Sequence, residues 1–123
     1  MPHIVLEVSK NTSIESSAKE LLVSVHNTLV ATGAFKSKDI KSRLYVSEHC
    51  LVGDGSDQIG FAHMSVSILP GRELTLIKDT SEKLLSLLKT TIEKLHPEKL
   101  EQFALSVEFR ELHKETYSKI VKQ

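Results

Sequence analysis

The chain has a single cysteine, Cys50, among its 123 residues, so no disulfide framework can hold it together. It has no surplus charge: 16 Lys and Arg against 16 Asp and Glu leave a formal net charge of zero. That removes the electrostatic footprint of a protein that binds nucleic acid or an anionic membrane, though a local basic cluster can still hold a small anion. Long apolar runs are missing as well. None approaches the roughly 18 residues of a membrane span, and Glu7 and Lys10 interrupt what would be a signal peptide. A cytoplasmic protein with a reduced thiol is the expectation. The 5 glycines do not fall at P-loop or dinucleotide spacing, and the 6 histidines form neither an H-x-x-x-H pair nor a cluster with the cysteine. No metal or other cofactor is expected, and no nucleic-acid or membrane partner.

What is present is ordinary globular composition, 40% hydrophobic and 26% charged. The length suits one domain, residues 1–123, that buries roughly two thirds of its unfolded surface. Residues 2–9 alternate, with Pro2, Ile4, Leu6 and Val8 on one face, which is the period of a strand. Thr12 and Glu15 have capping-box spacing, and Ile14, Ala18, Leu21, Leu22, Val25, Leu29 and Val30 follow as a helical stripe. Gly33 suits the position just past the helix end. A second strand runs from Ile40 to about His49. Gly53-Asp54-Gly55 marks a loop or a small hairpin. FAHMSVSI then forms a strand that Pro70-Gly71 breaks. Ile77, Leu84, Leu85, Leu88, Ile92 and Leu95 stripe a second helix, which His96-Pro97 ends. ALSVEFREL supplies a fourth strand, and the tail KETYSKIVKQ is too short and polar to assign.

This order is β-α-β twice, over about residues 2–49 and 59–112. The fold class is α+β: two β-α-β units joined into one four-stranded mixed sheet with both helices on one face. Strands within a unit should be parallel, with a right-handed crossover. Two helices cover one face only, yet both faces carry large apolar residues, Val5, Tyr45 and Phe61 on one and Leu6, Leu44 and Met64 on the other, so one apolar face is left open. Burial of that face against copies of the chain predicts a homo-oligomer.

Four residues are candidates for chemistry. Pro2 either starts an edge strand, where its missing N–H does no harm, or, once Met1 is removed, is an N-terminal secondary amine. A free α-amino group titrates near about 7.7–8.0, and burial and nearby cations lower that value, leaving a neutral general base. Arg72, after Pro70-Gly71, is either a solvated loop residue or a guanidinium that grips a carboxylate beside a helix start. Lys41 and Arg43 share a strand face, and either point to solvent or form the cationic wall of a pocket that stabilises an enolate oxygen. Cys50 lacks a nearby basic partner in sequence and reads as a packed or partly exposed thiol.

PHIVLEVS, TLVATGAF, KSRLYV, FAHMSVSILPGR and ALSVEFRELH together resemble the 5-carboxymethyl-2-hydroxymuconate isomerase family of the tautomerase superfamily. The resemblance runs in one register over nearly the whole chain and fades only in the tail and over Cys50–Ile59. It implies a homotrimer with the sheets inside, and a cofactor-free enzyme. That enzyme moves a proton between a dienol and an unsaturated 2-oxo acid in aromatic-acid catabolism. It also implies that Pro2 is the general base, that Arg72 is a catalytic arginine, and that Lys41 and Arg43 bind the substrate, a small unsaturated carboxylic acid. One position departs: Lys41 stands where the resemblance implies another arginine, which keeps the charge and loses the planar fork. A catalytically silent ligand-binding trimer or an interaction protein of the same fold are the alternatives.

Overall fold

The computed structural model describes residues 2–95, 97 and 100–122. Strand β1 is His3–Ser9, and its alternation holds as far as Val8: Ile4, Leu6 and Val8 are inaccessible to solvent while Glu7 is exposed, and Ser9 at the strand end is buried as well. The chain then makes two short 3-10 turns, Lys10–Thr12 and Ile14–Ser17, before helix α1, Ala18–Ala31. The capping box expected at Thr12 and Glu15 does not form. Ser13 sits in the left-handed region at φ 61°, and the Thr12 hydroxyl donates to the Ser9 carbonyl at 2.8 Å while accepting from Ile14 N–H. This local bonding competes with helix initiation, so the helix starts later than its apolar stripe. Ile14 is nevertheless buried with Leu21, Val25 and Leu29. Gly33 ends the helix as expected, at φ 79° with its N–H on the Val30 carbonyl.

Strands β2 (Lys41–Ser47) and β3 (Ile59–Ile68), helix α2 (Leu74–Leu95) and strand β4 (Gln102–Glu111) complete the fold. The connection between β2 and β3 is a loop, and no hairpin forms around Gly53 and Gly55. Helix α2 ends at Leu95; His96 lies outside the described residues. The strands are ordered β2-β1-β3-β4, with β1 parallel to β2, β3 parallel to β4, and β1 antiparallel to β3. These are the two expected units, joined through their first strands. Leu84 and Leu88 of α2 and Leu21, Val25 and Leu29 of α1 pack with Ile4, Leu6, Met64 and Val66 of the sheet in one core. Leu85, expected on that stripe, is 38% exposed.

The uncovered face is not the apolar surface expected. One register row across it reads Lys41, His3, Ser67, Arg110, and the next reads Arg43, Val5, Ser65, Glu108. Val5, Tyr45 and Phe61 do lie there, but charged and hydroxyl side chains separate them, so burial of hydrocarbon on this face gives no argument for association. Glu108 is held between Arg110, at 2.8 Å, and His63, at 3.0 Å. Those two hydrogen bonds bring its carboxyl down from 4.5 to about 2. The folded-state value is depressed, so its stabilising contribution is complete above pH 4.5 and is lost as pH falls toward 2. Acid titration followed by thermal unfolding should show this loss in the wild type and not in Glu108→Gln.

A polar staple joins the end of β1 to the start of β3. Phe61 N–H donates to Ser9 Oγ at 2.9 Å, Ser9 donates to Asn11 Oδ1 at 2.7 Å, and Asn11 Nδ2 donates to the Ile59 carbonyl at 2.8 Å. Gly60 lies beneath it. A Cβ there would stand 2.7 Å from Asn11 Oδ1, 2.8 Å from Leu100 Cδ1 and 3.0 Å from Ser9 Oγ. Gly60→Ala should therefore destabilise by about 1–3 kcal/mol, read as a lower denaturation midpoint at unchanged m-value.

Candidate active site

The topology brings five chain segments to one end of the sheet. Parallel β1 and β2 begin there, and β3 and β4 end there. Helix α1 returns the chain to the same end, so Ala34-Phe35 lie near the start of β2. Pro2 is buried at this end, and its carbonyl accepts the Lys41 backbone N–H at 3.1 Å. His3 is paired with Ser67, so the end of β3 and the turn leading to Arg72 pass alongside Pro2. The backbone N–H of Leu112, just past β4, donates to the Ile68 carbonyl at 2.7 Å and roots the C-terminal tail here.

Arg72 is positioned by the chain on both sides of it. Gly71 has φ 122°, a conformation that a side chain would strain, and this turns the backbone so that Arg72 faces the segment after α1. Its Nη2 donates to the Ala34 carbonyl at 3.0 Å, and the guanidinium carbon lies 4.9 Å from the centre of the buried Phe35 ring. One bond fixes one nitrogen of a group with five N–H donors. A cation oriented in this way can meet a carboxylate without ordering itself first.

Lys41 and Arg43 share the open face, as their spacing predicts. Lys41 Nζ donates to the Asp39 carbonyl at 3.2 Å. Arg43 Nη1 lies 3.2 Å from His3 Nδ1, and His3 Nε2 lies 3.3 Å from the Tyr117 hydroxyl. Burial, then the cations of Arg43 and Lys41, hold the His3 imidazole below its ordinary value, which favours the neutral ring. Pro2 and Lys41 are thus direct neighbours, Arg43 lies one step along the open face, and Arg72 reaches the same end from the helix side.

Sequence reasoning missed three residues here. Phe35 was legible only as a hydrophobic residue after α1, because its pairing with Arg72 spans 37 positions that no local pattern connects. His3 lies on the strand face opposite Pro2 and was given no role; its parity with Lys41 and Arg43 in a parallel register was the available signal. Tyr117, on an unassigned tail, carried none. Among the described residues, no three His, Cys, Asp or Glu side chains are grouped to hold a metal ion. Cys50 is exposed at the other end of the sheet, its Sγ 3.7 Å from the Ser47 carbonyl.

Comparison with known proteins covers nearly all of the chain. Residues 2–121 match the family described as 5-carboxymethyl-2-hydroxymuconate isomerase. The 5-carboxymethyl-2-hydroxymuconate Delta-isomerase of Escherichia coli is 35% identical over 113 residues, 92% of this chain and 88% of that one. The crystal structure of a 5-carboxymethyl-2-hydroxymuconate isomerase from Deinococcus radiodurans R1 superposes with a TM-score of 0.86 at 24% identity, over 98% of this chain and 90% of that one. A fused 4-OT, described as a symmetric trimer, shares the fold at a TM-score of 0.64 and 14% identity, over 89% of this chain and 85% of that one. The chain belongs to the 5-carboxymethyl-2-hydroxymuconate isomerase family.

Proposed function

We propose that this isomerase converts a dienol acid to its unsaturated 2-oxo isomer, with the Pro2 nitrogen as the general base. The single observation that carries the assignment is the convergence of Pro2, Lys41 and Arg72 on one end of the sheet, in a chain of this family. The neutral amine takes the proton of the 2-hydroxyl. The O–H pair becomes the C2=O bond, the two conjugated double bonds shift to one at C3–C4, and the proton returns from nitrogen to C5. No oxidant, reductant or cofactor enters this balance. Arg72 holds a carboxylate and draws the developing negative charge, while Lys41 and Arg43 orient a second carboxylate or the enolate oxygen.

The substrate class is a small unsaturated acid with at least two carboxylates, because cations approach Pro2 from both sides of the sheet. 5-Carboxymethyl-2-hydroxymuconate fits this class. Lys41 is a point charge without a guanidinium fork, and it leaves more freedom in the acid accepted. Ketonisation of that dienol, followed by loss of its ultraviolet absorbance, tests the assignment. A rate equal to the uncatalysed one would favour the silent ligand-binding alternative, which no observation here supports.

The working form we propose is a homotrimer. Both outer strands, β2 and β4, offer a free sheet edge, and the polar open face suits a shared, hydrated interior better than a dry one. Light scattering on the purified protein should give three times the chain mass, unchanged on tenfold dilution; a mass equal to one chain would refute it. No helix among the described residues is long and apolar enough to cross a membrane. A catabolic role on a soluble acid is consistent with the cytoplasm.

A further inference from the structure

Arg43, His3 and Tyr117 form a line whose hydrogen-bond direction is fixed by chemistry. A guanidinium can only donate, so Arg43 Nη1 donates to His3 Nδ1, 3.2 Å away. Neutral His3 then carries its proton on Nε2 and donates it to the Tyr117 oxygen, 3.3 Å away. The Tyr117 oxygen thereby accepts this bond, which leaves its own O–H to donate to another acceptor. All three side chains are half-buried, and the tail that brings Tyr117 here is anchored. Leu112 N–H bonds to the Ile68 carbonyl at 2.7 Å, and a 3-10 turn, Lys114–Thr116, closes with Thr116 N–H on the His113 carbonyl at 3.1 Å.

We propose that Tyr117 is a substrate-binding residue: the last donor of the chain Arg43 to His3 to Tyr117, which presents its O–H to a carboxylate beside Pro2 on the open face. The inference rests on the function proposed above and adds to it a neutral donor and two positioning roles. Each bond polarises the next, so the positive charge of Arg43 strengthens the Tyr117 O–H as a donor without placing another cation at the site. The depressed basicity of His3 keeps the relay in its neutral form. The charged groups acting on His3 are Arg43 and Lys41 on the neighbouring strand, the amino terminus of the chain, and Lys119 on the tail.

Calorimetric titration with adipate, a saturated dicarboxylate that cannot react, tests the proposal on the intact protein with Met1 removed. Tyr117→Phe should weaken adipate about tenfold, and weaken hexanoate, which has one carboxylate, by less than twofold. His3→Leu should match that loss, and the double variant should be no weaker than either single one. His3→Gln should bind nearly as the wild type, because its amide oxygen accepts from Arg43 and its N–H donates to Tyr117. A merely structural role would predict additive losses, and no rescue by glutamine. Adipate affinities within twofold for wild type and Tyr117→Phe, or no binding by the wild type, overturn the proposal. Adipate binding without any acceleration of ketonisation would instead overturn the enzymatic assignment and leave the donor chain standing.

Discussion

Protein carrying one extra residue ahead of Pro2 is expected to lose about 10²- to 10⁴-fold in kcat, the usual contribution of a positioned general base. The extra residue converts the secondary amine to an amide, whose nitrogen has no useful basicity, and changes nothing else in the covalent structure. Methionine retained at position 1 has the same consequence, so the active protein should lack Met1 by intact mass. Pro2 is buried at the head of β1, and its carbonyl is engaged by Lys41. The residue is thus held in place through its backbone carbonyl, a bond that does not involve the nitrogen. Pro2→Ala keeps a free amine after methionine removal and should lose less than the blocked protein. Full activity in the blocked protein would remove Pro2 from the mechanism. Thermal unfolding serves as the control, since both variants leave the core residues Ile4, Leu6 and Val8 untouched.

The fold was legible because its signals are periodic. Alternation placed Ile4, Leu6 and Val8 together on one strand face, which the structure buries under the helices, and the spacing of Leu84, Leu88 and Ile92 gave α2 its buried stripe. Element starts were less legible: the Thr12 hydroxyl satisfies a nearby carbonyl in a turn as readily as a helix N-terminus, and residue type alone does not say which. The character of the open face was misread because it depends on four strands at once. Val5 reads as an apolar residue in its own strand, yet its register partners are Arg43 and Ser65. Among the candidate site residues, Lys41 and Arg43 could be placed by parity, and Pro2 and Arg72 by position relative to strands and turns. What fixes them could not be read: Phe35 beneath Arg72, and His3 and Tyr117 beyond Arg43, are long-range contacts that only the assembled sheet end creates.

Arg72→Ala is expected to lower kcat/KM about 10²- to 10³-fold, the scale of removing one preorganised donor from a developing anion. Part of that arises because the guanidinium is oriented before substrate arrives, by the Ala34 carbonyl and the Phe35 ring. Those same contacts mean that the alanine variant also uncovers Phe35, which is 5% exposed, and loses a hydrogen bond. A stability decrease of about 1–2 kcal/mol should accompany the kinetic loss. Two further variants separate the effects. Arg72→Met retains an apolar stem over Phe35 and no charge, so it should recover most of the stability and none of the activity. Arg72→Lys retains the charge but not the planar fork, and should fall between alanine and wild type in kcat/KM. If Arg72 serves only to close the loop between α1 and α2, methionine should restore activity along with stability. A folded Arg72→Met protein with kcat/KM within twofold of wild type would therefore exclude Arg72 from the chemistry and leave it as a clasp between the segment after α1 and the turn after β3.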